Sequence, residues 1–266
     1  MYAFEYHRPV SQAEALSACQ GDSRYLAGGQ SLVQAMKLRL SASERLVDLG
    51  AIPGMDAIAV EDGHLTIGAM ARHAQVANSP VVQQHVPALA ELAHGIGDPM
   101  VRSMGTLGGA LANADPAACY PAAVLALAAT VHTTERAIAA EDFFTGLYGT
   151  ALEAGELITA VRFPKTACAA YVKFKQPASR FALVGVMVSR GPSGVRVAVT
   201  GAKDHVFRAS ALEAALSDRF TPESARACRV APEGLLSDLH ASAAYRAAMI
   251  PVMTARAVQI ALSRSR

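Results

Sequence analysis

The sequence has few charged residues and little to mark a secreted or nucleic-acid-binding protein. Only 17% of the 266 residues are charged, and a formal net charge of +2 without a basic cluster gives no footprint of nucleic-acid binding. Hydrophobic residues make up 52% of the chain, an apolar balance that favours partner interfaces. Glu5 and Arg8 interrupt the window in which a signal peptide needs an apolar run, so no secretion signal is expected.

Cysteine is sparse, and its positions exclude two further kinds of site. Cys19, Cys119, Cys168 and Cys228 are too far apart for a metal-ligand motif and do not indicate a disulfide framework. A reduced, cytoplasmic protein without an iron–sulfur cluster of its own is therefore expected. The longest span without Asp, Glu, Lys or Arg, residues 116–134, contains two prolines and is predicted to be a buried helix and a strand, not a transmembrane segment.

The common catalytic motifs are also absent. The chain has no HExxH zinc motif, no GxxxxGK[ST] phosphate loop and no GxSxG nucleophile motif. The stretch from Gly95 to Met100 begins like a dinucleotide-binding fingerprint, but the third glycine is missing and Pro99 is expected to block a continuing helix. No side chain stands out as an acid, base or nucleophile, which is typical of a protein whose bound cofactor carries the chemistry.

Two glycine motifs are the most informative features of the chain. Residues 25–31 are predicted to form a short strand that runs into a glycine turn at Gly28-Gly29, followed by a helix over residues 32–40. Residues 106–110 place a hydroxyl and two adjacent glycines before a run of small residues. Open backbone N–H groups form anion-binding nests, so the two turns are predicted to hold a pyrophosphate from both sides, with the helix N-terminus adding its positive end.

Asn113 and Asp115 follow the second motif. Their spacing of two would direct both side chains to one face of an extended backbone. Because a phosphate would repel a carboxylate, Asp115 is better placed to accept hydrogen bonds from sugar or ribityl hydroxyls. The pattern predicts a nucleotide-like cofactor with polyol groups, whereas the alternative is that each glycine pair is simply a loop or a bulge.

The order of the predicted elements divides the chain into three parts. Strand and helix alternate up to about residue 53, which indicates a small α/β subdomain. The second part is predicted to contain a hairpin at residues 57–70, helices at 72–78 and 87–94, a helix from about residue 117, and strands near Val131 and Ala137 and at 157–163. A mostly β segment after residue 165, followed by helices that end with one at residues 242–264, predicts a separate α+β domain.

A resemblance to a known family rests on the segments LAGGQSLVQAMKLRL and IGDPMVRSMGTLGGALANADPAA. Both resemble the FAD-binding medium subunit of molybdenum hydroxylases, the group that contains carbon monoxide dehydrogenase and xanthine dehydrogenase. The likeness runs from Phe4 to about Arg190 and more loosely to the end. It implies an α+β protein with a vanillyl-alcohol-oxidase-like (p-cresol methylhydroxylase type) FAD-binding domain over residues 1–165, in subdomains of about 1–53 and 54–165, and a small α+β C-terminal domain over residues 166–266.

The resemblance also implies roles for individual residues. Main-chain donors of residues 27–31 and 106–110 would hold the FAD pyrophosphate, and Ile158 and Lys175 would approach the isoalloxazine ring. A lysine there would stabilise the anionic reduced flavin, although an ordinary exposed strand lysine is an equal alternative for Lys175. The predicted cofactor-binding residues are Leu26, Ala27, Gly28, Gly29, Gln30, Ser31, Ile96, Thr106, Gly108, Gly109, Ala110, Asn113, Asp115, Ile158 and Lys175.

The chain departs from the family pattern at several of these places. Cys119 stands where the family usually has an Asp that helps to bind the cofactor, and Ala110 replaces a common Asn or Ser. Arg180 stands where an acidic residue is common, and Ile96 where some relatives place an aromatic ring against the flavin. Weaker FAD binding, an altered electron acceptor and simple drift all remain open.

The function implied by the resemblance is that of an FAD-binding electron-transfer subunit in a heterotrimeric molybdenum hydroxylase, assembled as a dimer of heterotrimers. A small partner with [2Fe–2S] clusters would receive electrons from a large partner with the molybdenum cofactor and pass them to FAD, which would reduce quinone, NAD or oxygen. The alternatives are a stand-alone FAD-dependent oxidoreductase of the same fold and a flavin-free assembly or scaffold subunit.

Overall fold

The computed structural model describes residues 1–166, 168–192 and 194–264; of the predicted C-terminal domain, Ala167, Ser193, Ser265 and Arg266 lie outside these ranges. The helices are α1 (Gln12–Ala18), α2 (Leu32–Lys37), α3 (His73–Asn78), α4 (Pro80–His85), α5 (Pro87–His94), α6 (Pro99–Met104), α7 (Leu107–Asn113), α8 (Tyr120–Ala126), α9 (Ala140–Phe143), α10 (Ser210–Asp218), α11 (Pro222–Ala227) and α12 (Ala243–Arg264). The strands are β1 (Glu5–His7), β2 (Ser23–Leu26), β3 (Arg45–Asp48), β4 (Ile58–Glu61), β5 (His64–Gly68), β6 (Thr130–Thr133), β7 (Ala137–Ala139), β8 (Phe144–Gly146), β9 (Gly149–Thr150), β10 (Ile158–Phe163), β11 (Cys168–Lys175), β12 (Ala182–Gly191), β13 (Gly194–Thr200) and β14 (Phe207–Arg208).

The N-terminal part is a parallel sheet in the order β1-β3-β2. Helix α1 begins at Ser11, whose hydroxyl accepts the Glu14 N–H at 3.2 Å, as the capping pattern predicts. Parallel neighbours need crossover connections, and α1 and α2 supply them. The first glycine motif therefore starts at the carboxyl end of β2, the edge at which open α/β sheets bind ligands.

The second part is an antiparallel sheet in the order β4-β5-β10-β6-β7. The predicted hairpin is confirmed: β4 pairs with β5 through a turn in which Asp62 and Gly63 have φ values of 50° and 75°. Both values are positive, as a two-residue hairpin turn requires. Helices α3 to α8 lie in the chain between β5 and β6, so this insertion carries the second glycine motif.

The C-terminal antiparallel sheet, in the order β11-β12-β13-β14, is buried on both faces. In β12, Val186 and Val188 pack with the C-terminal helices, whereas Met187 belongs to the main core that the first two sheets share. Alternation of side chains across a strand explains this division. The α+β prediction is confirmed, and the sheet lies between the main core on one face and α10 to α12 on the other.

Two local predictions were wrong. Pro99 does not block a helix but begins α6, where the Asp98 carboxylate accepts the Val101 N–H at 2.9 Å. Proline is tolerated at the first helical position because its missing N–H has no intrahelical partner there. Helix α2 ends at Lys37 instead of residue 40, since Arg39 adopts a left-handed conformation with φ of 60°. Of the helices in the described ranges, none combines the length and apolar character needed to cross a bilayer.

Candidate functional site

A cavity of about 960 Å³ lies between the two glycine motifs and extends to β11. This volume is at the upper end of the range of small-molecule and cofactor sites. The predicted cofactor-binding residues that line the cavity are Leu26, Ala27, Gly28, Gly29, Gln30, Ser31, Ile96, Thr106, Gly108, Gly109, Ala110, Asn113, Asp115 and Ile158. Lys175 is the predicted residue that does not.

The first glycine motif presents open backbone donors. The N–H groups of Gly28, Gly29, Gln30 and Ser31 donate to no atom of the described residues. Gly29 has φ of 69°, which turns the chain out of β2 and into α2. Ser31 caps α2 without a side-chain hydrogen bond. These free donors match the predicted anion nest.

The second glycine motif is organised differently from the prediction. Thr106 is the N-cap of α7, and its hydroxyl accepts the Gly109 N–H at 3.1 Å. The N–H groups of Leu107 and Gly108 donate to Ala71 and Ala69, and that of Ala110 donates to the Thr106 carbonyl. The predicted open nest at residues 106–110 was therefore wrong for Leu107 to Ala110, because helix formation and the contact with the chain after β5 use these donors.

The glycine pair instead permits close packing. A Cβ on Gly108 would lie 2.6 Å from the Ala69 Cβ, and one on Gly109 would lie 2.8 Å from the Thr106 hydroxyl and 3.3 Å from the Ala27 Cβ. Side chains at either glycine would push α7 away from its neighbours. The two motifs face each other as predicted, but the N–H groups of residues 107–110 in the second motif are already used within the protein.

Asn113 and Asp115 both line the cavity, although not on an extended backbone. Asn113 is the last residue of α7, and Ala114 ends the helix with φ of 46°. The Asp115 carboxylate accepts the Ala117 N–H at 2.8 Å and the Tyr148 hydroxyl at 3.5 Å. Burial raises the pKa of Asp115. The extended geometry was wrong because Thr106 nucleates a helix through this stretch.

Lys173, not Lys175, is the lysine at the cavity. The Lys173 ammonium donates to the Arg180 carbonyl at 2.8 Å and lies 3.4 Å from the Cys119 sulfur. Lys175 is the last residue of β11, is exposed and does not line the cavity. The predicted position of Lys175 at the cavity was therefore wrong, and the alternative, an ordinary exposed strand lysine, agrees with the structure.

The departures from the family pattern lie at the same end of the cavity. Cys119, which is 5% exposed, directly precedes α8, and Arg180 donates to the Gly97 carbonyl at 3.1 Å. Ile96 is half-buried next to Gly97. A thiol, a guanidinium and an aliphatic side chain therefore lie close together at this end, at positions where the resemblance implies carboxylates and an aromatic ring.

Sequence reasoning missed a buried polar pair in the cavity wall. The rings of His73 and Tyr120 lie 5.3 Å apart, and both residues line the cavity. Burial, together with the charge of Arg102, lowers the pKa of His73 to about 4, so the imidazole is neutral. The His73 Nδ1 and the Tyr120 hydroxyl have no hydrogen-bond partner in the described part of the chain. An isolated histidine gives no sequence signal that separates this placement from an ordinary core position.

Glu156 belongs to another part of the cavity wall and is held by an ion pair. Its carboxylate accepts hydrogen bonds from Arg136 at 3.1 Å and from the Thr133 hydroxyl at 2.6 Å. The hydrogen bond from Arg136 is the main cause of a fall in the pKa of Glu156 to about 2. These hydrogen bonds occupy the carboxylate, so Glu156 has a structural role: it links β6 to the segment that leads into β10.

The residues present fit FAD. Four free backbone donors suit a pyrophosphate, and the buried but hydrogen-bonded Asp115 suits polyol hydroxyls. Apolar side chains such as Ile96 and Ile158 suit a flat ring system.

The part of the chain that contains both glycine motifs matches a known protein family. Residues 2–166 match the model of the FAD binding domain in molybdopterin dehydrogenase. The chain is 34% identical to the nicotine 6-hydroxylase medium subunit of Paenarthrobacter nicotinovorans, with 99% of each chain covered. It is 36% identical to the carbon monoxide dehydrogenase medium chain of Hydrogenophaga pseudoflava, with 98% of each chain covered.

Solved structures agree with this match. Carbon monoxide dehydrogenase from Hydrogenophaga pseudoflava, in a form that lacks the Mo-pyranopterin moiety of its molybdenum cofactor, gives a TM-score of 0.88 at 36% identity over 98% of each chain. Quinoline 2-oxidoreductase from Pseudomonas putida 86 gives a TM-score of 0.89 at 30% identity, over 99% of this chain and 98% of the other. The chain therefore belongs to the FAD-binding medium subunits of the molybdenum hydroxylases and is the flavoprotein component of an oxidoreductase.

Proposed function

We propose that this chain is an electron-transfer subunit, which receives electrons from [2Fe–2S] clusters in a small partner subunit and passes them through FAD to an external acceptor. The observation that carries the proposal is the cavity wall, which combines the four free backbone donors of the first glycine motif with apolar surface, the features that suit bound FAD. FAD, when bound, supplies the redox chemistry, and the protein binds and orients it.

Individual residues have the following proposed roles. The N–H groups of residues 28–31 hold the pyrophosphate, and Asn113 and Asp115 bind polyol hydroxyls. Ile96 and Ile158 form apolar walls, while Lys173 takes the place predicted for Lys175. Thr106 caps α7, Gly108 and Gly109 allow this helix to pack closely against Ala69 and Ala27, and Ala110 lines the cavity.

The proposed assembly is a heterotrimer, present as a dimer, with a large subunit that holds the molybdenum cofactor. Support comes from the relatives, whose names call them medium subunits or medium chains. Quinone, NAD and oxygen are the candidate acceptors. The described cysteines are all free thiols, which fits a reducing compartment, and we place the complex in the cytoplasm.

We also propose a division into an FAD-binding domain, residues 1–165 with subdomains of about 1–53 and 54–165, and a C-terminal domain, residues 166–266. The end of the family match at residue 166 and a separate cluster of buried residues among the C-terminal sheet and helices support this boundary.

A tagged chain purified from its native host tests the function. We expect flavin absorbance bands together with iron and molybdenum from copurifying chains. A yellow chain that turns over a substrate alone would contradict the subunit role and identify a stand-alone oxidoreductase. A colourless chain that also fails to bind added FAD would contradict the flavin role and leave a scaffold subunit.

A further inference from the structure

Cys119 and Lys173 form a thiol–amine pair at one end of the cavity. Cys119 directly precedes α8 and Lys173 lies on β11, yet the sulfur and the Nζ atom are 3.4 Å apart. The hydrogen bond from Nζ to the Arg180 carbonyl, at 2.8 Å, holds the amine in this position. Within the described ranges, no carboxylate pairs with Lys173.

The position of the pair favours a reaction between its members. Cys119 is 5% exposed and lines the cavity, so that a small oxidant can reach its sulfur from the cavity. The lysine amine is already within contact distance of this sulfur. Holding two reactants at such a distance raises their effective concentration by orders of magnitude.

We propose that Cys119 and Lys173 are a modification site, at which hydrogen peroxide drives formation of a covalent, thiol-reversible sulfur–nitrogen cross-link. First, the sulfur attacks one peroxide oxygen, the O–O bond breaks and water leaves, so that the thiol is oxidised to a sulfenic acid while the peroxide is reduced. The Lys173 amine, after it has released its extra proton to solvent, then attacks the sulfur. The S–O bond breaks, a second water leaves and the S–N bond forms.

The reaction consumes one peroxide, releases two waters and removes two hydrogens from the protein. Two equivalents of a thiol reductant reverse it, because the first thiol attacks the sulfur and frees the amine, and the second closes a disulfide with the first. The cross-link ties the start of α8 to β11 and removes the positive charge of Lys173 from the cavity.

The chain offers matched controls for both partners. Cys168 is also buried, but its thiol donates to the Ala261 carbonyl and lies on the far face of β11, in the C-terminal core. Lys175 is on the same strand as Lys173 but is exposed and outside the cavity. Substitutions at these two positions should leave the cross-link intact.

Mass spectrometry of the full-length chain, treated with hydrogen peroxide with and without added FAD, tests the proposal. We expect an intact mass lower by two hydrogens, and a tryptic map in which the peptides of Cys119 and Lys173 are joined and trypsin no longer cleaves after Lys173. Dithiothreitol should restore the original map. Cys168→Ser and Lys175→Arg should keep the joined peptide, whereas Cys119→Ser and Lys173→Arg should lose it.

Two results would overturn the proposal: oxidation of Cys119 to a sulfinic acid with both peptides separate, or a joined peptide that persists in Lys173→Arg. Circular dichroism checks that the variants fold, and if Lys173→Arg does not, the site of linkage in the wild-type map decides. Because the readout is a mass and needs no bound flavin, failure of the electron-transfer proposal would leave this test interpretable.

Discussion

Because Gly28 has no side chain, the first glycine motif can lie directly against the end of α6, just before the second motif. A Cβ at this position would overlap the carbonyl oxygen of Met104 and lie 2.7 Å from the Gly105 Cα. The backbone of the first motif thus rests directly on the end of α6. Since backbone atoms cannot move aside as a flexible side chain can, the contact tolerates only glycine.

We expect Gly28→Ala to lower the free energy of unfolding by about 1–3 kcal/mol, the usual cost of overpacking, and to weaken FAD binding at least tenfold. Chemical denaturation and fluorescence titration with FAD measure the two effects. Gly191→Ala is the control, because the nearest described atoms that a Cβ there would meet lie 3.9 Å away. Equal stability and affinity of the two variants would refute the close-contact explanation.

The burial of His73 should have a measurable effect on how the stability of the protein depends on pH. Its folded pKa of about 4 lies below the ordinary value of 6.5, mainly because burial disfavours the charged imidazole. As the pH falls, the unfolded chain therefore takes up the proton first. The contribution of His73 to stability is complete above pH 6.5 and is lost as the pH falls towards 4.

Between pH 6.5 and 4.5, the wild-type protein should lose about 2–3 kcal/mol more of its free energy of unfolding than His73→Gln, which cannot titrate. Urea denaturation at the two pH values gives the comparison. A matching loss in both proteins, or an NMR titration that places the imidazole pKa of His73 near 6.5, would contradict the buried neutral assignment.

Among the elements, α7 determines how the second glycine motif works. The Thr106 hydroxyl caps the helix, and the first-turn donors bond within the protein. A helix that starts here places Asn113 at its last turn and Asp115 just beyond the left-handed Ala114, so that both reach the cavity from a helix end. The position of the polar side chains therefore depends on the cap.

Thr106→Ala should destabilise the protein by about 1 kcal/mol through loss of the cap and should also weaken FAD binding, because the end of α7 carries Asn113 and Asp115. Thr106→Ser retains the hydroxyl and should restore both properties. Thermal melts and FAD titrations of the two variants test this, and a Thr106→Ala protein as stable as the wild type would show that the cap is not needed.

How much could be predicted differs between elements for physical reasons. The β4–β5 hairpin and the Ser11 cap have strong local signals, and both were predicted. The start of α6 at Pro99 also has a local signal, because an Asp that can cap a helix directly precedes a Pro at the first helical position. Lys173 and Lys175, by contrast, lie two residues apart on the same strand, so the choice between them depends on how far the cavity extends along β11 and could not be made from local sequence.

At the scale of the whole molecule, two clusters of buried residues contain much of the apolar composition, and the C-terminal sheet, buried on both faces, contributes to both. A strand that is buried on both faces needs a continuous apolar run, such as the LVGVMV segment of β12. In a sheet with only one buried face, apolar and polar residues would alternate along each strand. The apolar composition is therefore weaker evidence for partner interfaces than expected, because many of the apolar side chains lie in the protein's own core.

Binding of FAD should stabilise the whole chain. If only the folded state binds, free FAD at 100 times its Kd adds about 2.7 kcal/mol. For a chain of this size, that corresponds to a rise in Tm of roughly 5–10 °C. Differential scanning fluorimetry should show Tm increasing with FAD concentration, a smaller increase with FMN, and a smaller increase for Gly28→Ala at the same FAD concentration. No FAD-dependent change in the wild type would contradict the cavity assignment.

Lys173, Ser179, Arg180 and Phe181 close one end of the cavity, although they lie after the segment that carries both glycine motifs. A graft of residues 2–166 onto another scaffold would therefore transfer the phosphate-binding backbone and leave the cavity open on one side. It would also bare the apolar surface that now packs against β11, β12 and β13. For protein engineering, a portable flavin module from this chain must therefore include β11, β12 and β13 as well as residues 2–166.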